Sequence, residues 1–117
     1  MGDGLSRPVI RRESSMSEKI YTIDEIKMIL NRVLQNQPVY QVILFGSYAK
    51  NEATKKSDID LLIDTKKALK GFNLIRLICQ IQDALDKPID GFEKYEIIEN
   101  SKIDEEIKKT GVVVYEK

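Results

Sequence analysis

Residues 39–64 read VYQVILFGSYAKNEATKKSDIDLLID. The β-branched and apolar residues at 39–45 predict a strand that ends at Gly46, because glycine is rare in strands and common in turns. After a polar segment, residues 58–64 predict a second strand, which is apolar on both faces beyond Asp60, as in the covered centre of a sheet. One sheet would therefore carry both a Gly-Ser turn and an Asp-x-Asp run.

Helical periodicity and capping signals predict the other elements. Thr22 and Glu25 form a capping box at the start of a helix over 22–36, which Pro38 ends. The polar segment 47–56 has room for one short helix. The remaining predicted elements are a helix over 72–86, a strand over 88–92, a helix over 103–109 and a strand over 112–115. The order α-β-α-β-α-β-α-β predicts an α/β fold with helices packed on a mixed sheet.

Composition excludes several kinds of chemistry. The chain has no histidine, which removes Ser-His-Asp triads, histidine general bases and histidine zinc sites. Cys79 is the only cysteine, so intrachain disulfides are excluded, and we expect it to be a small core residue. Nineteen Lys and Arg residues balance nineteen Asp and Glu residues, so non-specific nucleic-acid binding is not expected.

The composition of the N-terminal segment and the lack of long apolar runs predict the extent of the domain and its cellular location. Residues 1–15 contain two glycines, a proline and three arginines, and we expect a disordered leader or a segment added for expression, with the domain over 16–117. No apolar run approaches the ~20 residues that span a bilayer, and residues 1–15 lack the apolar centre of a secretory signal. A cytoplasmic domain without a membrane segment is expected.

Carboxylates supply the candidate chemistry. In a strand, Asp58 and Asp60 share one face and lie roughly 6.6 to 6.8 Å apart. Two such charges repel each other unless a cation lies between them, and Mg²⁺ or Mn²⁺ favours oxygen ligands. Asp90 in the next predicted strand is the candidate third ligand. It would allow two ions about 3.5 to 4 Å apart and would accept a proton from an attacking hydroxyl group.

The turn before these carboxylates suits a phosphate. Gly46 has no Cβ and lets the backbone approach a ligand closely, while Ser47 offers a hydroxyl group and an amide at the start of the predicted short helix. Lys50, with Lys55 and Lys56, would help to neutralise a triphosphate.

Each signal is weak when it stands alone. An isolated Asp-x-Asp is more often turn chemistry or a solvated edge, the lysines are more often a solvated face, and Tyr95 and Tyr115 are expected to be packing or surface residues. The conjunction of an apolar strand, Gly-Ser, ten residues, Asp-x-Asp and a later strand aspartate is far more specific.

Gly46, Ser47, Asp58, Asp60 and Asp90 together resemble the signature of the nucleotidyltransferase superfamily related to DNA polymerase β, in particular its minimal nucleotidyltransferase (MNT) branch. The resemblance covers about residues 22–115. It implies a mixed-sheet α/β core, Mg²⁺, and transfer of a nucleoside monophosphate from ATP or another nucleoside triphosphate to a hydroxyl group. By the resemblance, the three aspartates would bind metal, Asp90 would activate the acceptor, and Gly46 with Ser47 would hold the triphosphate.

Minimal members of this superfamily resemble the antitoxins of toxin-antitoxin pairs, and some of them transfer AMP to a tyrosine of a helical HEPN-type partner. The leading hypothesis is therefore an enzyme that adenylylates such a partner. Lys50-Asn51 stands where members of the family commonly have Arg-Gly, and lysine lacks the planar fork that holds phosphate with two bonds. This difference motivates a second hypothesis, a non-catalytic antitoxin that acts by binding. A third is transfer to a small molecule such as an aminoglycoside.

Overall fold

The structure, a computed structural model, describes residues 19–117. The predicted leader, residues 1–15, and the predicted start of the domain at Met16 lie outside the described residues. The elements in chain order are α1 Ile23–Leu34, β1 Gln41–Phe45, β2 Ile59–Asp64, α2 Phe72–Leu85, β3 Ile89–Glu93, a 3₁₀ helix Lys94–Glu96, α3 Lys102–Thr110 and β4 Val112–Glu116. No helix in this part of the chain has the length and apolar character needed to cross a membrane.

The segment between β1 and β2 is a series of turns, so the prediction of a short helix within residues 47–56 was wrong. The Lys50 N–H donates to the carbonyl groups of Gly46 and Ser47, both at 3.2 Å. Gly46 and Asn51 have φ angles of +77° and +60°, and these left-handed residues interrupt helical geometry at both ends of the turn. The observed order is α-β-β-α-β-α-β. The predicted mixed-sheet α/β class is confirmed, and the strict alternation is not.

The four strands form one sheet in the order β3-β2-β1-β4. β1 is antiparallel to β2 and β4, whereas β2 and β3 are parallel. Phe45, the last residue of β1, pairs with Asp60, and Asp60 pairs on its other side with Asp90. The end of β1 and the beginnings of β2 and β3 therefore meet at one end of the sheet.

The hydrophobic core lies between one face of the sheet and the helices α1 and α2. The predicted capping box of α1 is present, because Thr22 Oγ1 accepts from the Glu25 N–H at 3.1 Å and Glu25 Oε1 accepts from the Thr22 N–H at 2.9 Å. Alternate residues of the strands pack against helix residues that are spaced three or four apart. The buried residues of this layer include Ile26, Leu30, Leu34, Val42, Leu44, Leu61, Ile63, Leu77, Ile81 and Leu85.

The outer side of α2 departs from the sequence prediction. Cys79 is exposed, although it was expected to be a small core residue, and Ile75 is 54% exposed. A helix turns by about 100° per residue, so Leu77, Ile81 and Leu85 lie above one another while Cys79 lies about 200° from Leu77. α2 is apolar on two sides, and only one of them faces the sheet.

The second face of the sheet is covered only in part, by α3 and the 3₁₀ helix. α3 packs on β1, and Ser101 caps the start of α3 by accepting from the Asp104 N–H at 3.2 Å. Of the two tyrosines expected to be packing or surface residues, Tyr115 is buried and donates its hydroxyl to the Leu34 carbonyl, and Tyr95 is half exposed. The uncovered part of this face leaves the sheet end open to solvent.

Candidate functional site

Three aspartates lie at the open end of the sheet. Asp60 is the second residue of β2, and Asp90 is its register partner on β3. Neighbouring strands lie about 4.8 Å apart, so paired residues present their side chains on the same face. Asp58 precedes β2 directly and is exposed, as is Asp90, while Asp60 is half-buried. The parallel pairing of β2 and β3 thus brings together the three carboxylates that the sequence singled out.

Asp60 is the carboxylate most perturbed by its surroundings. Burial, and after it the charges of Asp90, Asp58 and Glu106 in that order of importance, raise the pKa of Asp60 to about 6. All of the charged neighbours that act on this pKa are acidic. The carboxylate therefore lacks the compensating positive charge that a purely structural aspartate needs.

Asp64 provides the contrast within the same strand. It lies four residues beyond Asp60, on the same face of β2, and is 5% exposed. Its Oδ1 accepts from the Lys66 N–H at 2.9 Å, and its Oδ2 lies 3.5 Å from Lys94 Nζ. One strand thus carries a buried carboxylate with structural partners and another whose charged neighbours repel it.

The carboxylates of Asp58, Asp60 and Asp90 are chemically suited to bind a divalent cation. Oxygen ligands from carboxylates are what Mg²⁺ and Mn²⁺ prefer, and the repulsion among Asp58, Asp60 and Asp90 is what a cation relieves. Within residues 19–117, no three carboxylates already converge on one point closely enough to hold an ion. Binding therefore requires side-chain movement, which exposed Asp58 and Asp90 can make.

Gly46 is fitted closely against Asp60. A Cβ at this position would overlap Asp60 Oδ2, and the φ angle of +77° is one that residues with side chains rarely adopt. The Gly46 N–H donates to Thr110 Oγ1 at 3.3 Å, which ties the turn to the end of α3. Sequence reasoning assigned Gly46 to ligand approach, and the structure adds that its missing side chain makes room for the Asp60 carboxylate.

Ser47 and Lys50 occupy the turn beyond Gly46. Ser47 is half-buried in a turn, not at the helix start that the sequence predicted, and its carbonyl accepts from the Glu52 N–H at 2.9 Å. Lys50 Nζ lies 3.5 Å from Glu106 Oε2 and 3.7 Å from Glu52 Oε1, with its side chain 41% exposed. The lysine is thus beside the site but already shared between two carboxylates.

Glu106 is a site residue that sequence reasoning missed. It lies on α3, pairs with Lys50 and contributes to the raised pKa of Asp60. No local pattern marks it, because acidic residues are ordinary on the polar side of an amphipathic helix. Only the packing of α3 against β1 brings it to the sheet end.

The Asp60→Asn variant is expected to be more stable than the wild type at pH 7.5 without metal, by about 1–2 kcal/mol. An aspartate pKa of about 6 in the folded protein exceeds the unfolded value of ~3.9, so the folded state binds more protons between those pH values. Stability therefore falls as the pH rises through this window, and asparagine removes that loss.

Urea unfolding in EDTA between pH 4 and pH 8 measures this effect. The advantage of Asp60→Asn should shrink towards zero at pH 4, where the folded protein already has Asp60 protonated. Asp64→Asn is the matched control and should be less stable than the wild type at pH 7.5, because it weakens the pairing with Lys94. Equal or lower stability of Asp60→Asn at pH 7.5 would contradict the raised pKa.

A groove of about 500 Å³ opens beside β3, on the Asp90 side of the site. Its lining includes Phe92, Ile97 and Ile98, and Ile98 is 75% exposed. β3 is an edge strand of the sheet, so no further strand of residues 19–117 covers this side. The groove begins at Gly91, the residue after Asp90, and runs along this edge strand.

Comparison with known proteins identifies relatives in sequence. The sequence profile of the family described as Polymerase beta, Nucleotidyltransferase matches residues 24–117. The proposed protein adenylyltransferase MJ0126 of Methanocaldococcus jannaschii is 38% identical over 80 residues, which cover 65% of this chain and 82% of that protein. MJ0435 of the same organism, with the same proposed activity, is 35% identical over 68 residues, covering 58% of this chain and 73% of the relative.

Solved structures share the fold. A crystal structure of a toxin-antitoxin with AMP-PNP superposes with a TM-score of 0.64 at 19% identity, covering 78% of this chain and 73% of the other. A structure of a tri-AMPylated Shewanella oneidensis HEPN toxin in complex with an MNT antitoxin gives a TM-score of 0.60 at 17% identity, covering 82% and 74%. At these identities the likeness concerns the fold alone.

Proposed function

We propose that this chain, which belongs to the Polymerase beta nucleotidyltransferase family, transfers an adenylyl group from ATP to a hydroxyl group of a protein partner. The chain is a nucleotidyltransferase by its family, and the donor, acceptor and residue roles are the proposal. The observation that carries it is the Asp60 carboxylate, whose charged neighbours are all acidic at the end of the sheet where Asp58 and Asp90 also lie.

Each site residue has a role in this proposal. Asp58, Asp60 and Asp90 would hold Mg²⁺, or Mn²⁺ in its place, which supplies charge neutralisation for the phosphates when bound. Asp90 would also accept the proton of the attacking hydroxyl group. The Gly46-Ser47 turn would hold the triphosphate, with Lys50 contributing positive charge once it leaves Glu106.

The strand order supports these roles through geometry. Because β2 lies between β1 and β3, Asp60 stands between the Gly46-Ser47 turn on one side and Asp90 on the other. A phosphoryl-type transfer needs the attacking and leaving oxygens roughly in line. In the proposal, the leaving pyrophosphate lies at the turn and the entering hydroxyl at Asp90, on opposite sides of Asp60, which is compatible with this requirement.

The relatives and the open edge of the sheet favour a protein as the acceptor. The relatives with the proposed activity are protein adenylyltransferases, and two chains with this fold come from toxin-antitoxin structures, one with an AMPylated HEPN toxin. The Asp90 side of the site is open along an edge strand. We therefore propose a HEPN-type helical partner, in the cytoplasm where ATP is available, and a domain that spans residues 16–117.

Transfer of label from ATP to the partner tests the proposal. The reaction contains the full chain, ATP labelled at the α-phosphate, Mg²⁺ and the HEPN-type protein encoded beside it. We expect the partner to become labelled, and mass spectrometry should locate the label on a hydroxyl side chain. The Asp58→Ala variant should give at least about 10²-fold less label, since it removes a proposed metal ligand. Absence of label, or equal labelling by Asp58→Ala, would contradict the proposal.

A second candidate function is neutralisation of the partner by binding alone. The observation that favours it is the pairing of Lys50 with Glu106 and Glu52, which leaves the turn without a free cation of its own. Cell growth during expression of the partner separates the two functions. Full neutralisation by the double variant Asp58→Asn/Asp60→Asn would show that binding suffices, and its loss would assign the effect to the transfer reaction.

A further inference from the structure

Lys87 is a charged residue buried in the folded domain. Its side chain is 1% exposed, and it lies in the connection between α2 and β3. Its Nζ donates to the Lys55 carbonyl at 3.0 Å. Removing an ammonium group from water is costly, and an apolar side chain of similar length, such as methionine, would fill this space without that cost. The contact with Lys55 therefore calls for an explanation beyond packing.

The contact joins the two segments that lead into the site. Lys55 lies three residues before Asp58, and Lys87 lies three residues before Asp90. Beside the Lys87 contact, the Ile59 N–H donates to the Pro88 carbonyl at 3.0 Å. The segments 55–59 and 87–90 are thus cross-linked twice, once by the backbone and once by the buried Lys87 side chain.

The three aspartates differ in how firmly the sheet holds them. Asp60 and Asp90 are paired within the ladder of β2 and β3. Asp58 precedes β2, has no register partner and is exposed, so on its N-terminal side its position depends on the path of residues 55–57. Lys87 holds this segment in place through its hydrogen bond to the Lys55 carbonyl. Asp58 is therefore the aspartate whose position depends most on Lys87.

We propose that Lys87 is a positioning residue that sets Asp58 against Asp60 and Asp90 by clamping segment 55–58 to segment 87–90. The inference rests on the proposed function, because it gives Lys87 a purpose only if the three carboxylates act together on a cation. Lys87 itself contacts no reacting atom in this proposal. The turn that would hold the triphosphate follows β1, which lies on the other side of β2 from β3.

Metal titrations of the full chain test the role of Lys87. Lys87→Met removes the donor and keeps the length of the side chain, and Lys87→Gln keeps an N–H donor that is shorter and easier to bury. Exposed Lys70→Met is the matched control. Binding of Mn²⁺ alone, followed by electron paramagnetic resonance, should weaken about 10-fold in Lys87→Met and less in Lys87→Gln, with no change in Lys70→Met.

Two further measurements separate positioning from stability. The Mg²⁺ concentration for half-maximal transfer should rise about 10-fold in Lys87→Met, while the affinity for ATP in EDTA stays within about threefold of the wild type. A merely structural role would lower the unfolding temperature and leave the metal affinity of the folded protein unchanged. Where Lys87→Met does not fold, Lys87→Gln decides the question by the same titration.

Failure of the inference is distinguishable from failure of the proposed function. If the wild type binds Mn²⁺ and labels its partner while the folded Lys87 variants bind Mn²⁺ equally well, the positioning role is wrong and the proposed function stands. If the wild type neither binds Mn²⁺ nor labels the partner, both are wrong.

Discussion

Asp60→Asn is expected to lower adenylyl transfer by about 10³-fold or more, while the protein remains folded. The substitution keeps the shape of the side chain and removes its negative charge, so a proposed metal ligand is lost without a cavity. Steady-state transfer at saturating ATP, with partner labelling as the readout, measures the loss. Added Mg²⁺ or Mn²⁺ should restore little activity, because an amide oxygen is a poor substitute for a central carboxylate ligand.

Asp64→Asn is the matched control for this loss. It makes the same chemical change on the same face of β2, four residues further along the strand, where Lys94 and the Lys66 N–H hold the carboxylate. Transfer by Asp64→Asn should stay within about threefold of the wild type after correction for the folded fraction. A similar loss in both variants would mean that transfer is sensitive to the loss of either aspartate charge of β2. Asp60 would then have no special role.

The two effects of Asp60→Asn point in opposite directions. The same substitution is expected to stabilise the metal-free protein and to abolish transfer, which is the exchange of stability for activity common at functional sites. Repulsion from Asp58, Asp90 and Glu106 is tolerated by a folded protein at a cost in free energy. That cost is explained if the repulsion is relieved by a bound cation during function.

Much of this site follows from local sequence. The spacing from Ser47 to Asp58 and the alternation within β2 place carboxylates on one face, and the proline-led strand that carries Asp90 pairs beside β2 as the third-ligand hypothesis required. These features depend on periodicity and on strand pairing, which short sequence patterns encode. The capping box of α1 and the ends of each strand are local in the same sense.

The features that local patterns do not reveal arise from tertiary packing. Glu106 reaches the site only because α3 lies across β1, and Lys87 meets Lys55 only because β2 and β3 are parallel neighbours. The missing helix after β1 follows from the left-handed Asn51, which sequence alone does not assign. The exposure of Cys79 depends on which of two apolar sides of α2 the sheet covers.

Gly46→Ala is expected to reduce transfer by about 10²-fold and to destabilise the domain by about 2–3 kcal/mol. Two costs combine at this position. The φ angle of +77° is unfavourable for alanine, and the added Cβ would overlap Asp60 Oδ2, so the carboxylate must turn away. Displacement of a central ligand would reduce activity even in molecules that remain folded.

Gly71→Ala separates the two costs of Gly46→Ala. Gly71 also has a positive φ, +55°, but a Cβ there meets no atom within 4 Å, so only the backbone term applies. Gly71 has a ψ angle of −127°, outside the left-handed helical region, so its variant should lose about 1–3 kcal/mol and keep normal transfer per folded molecule.

A double-mutant cycle isolates the steric part. When Asp60 is already alanine, the overlap disappears, and Gly46→Ala should then cost no more than about 1–2 kcal/mol in urea unfolding. The same cost in both backgrounds would show that Gly46 is required for its backbone conformation alone. A smaller cost in the Asp60→Ala background would establish that the glycine is needed because the turn and the Asp60 carboxylate occupy adjoining space. The Gly-Ser turn and the Asp-x-Asp run would then form a single structural unit.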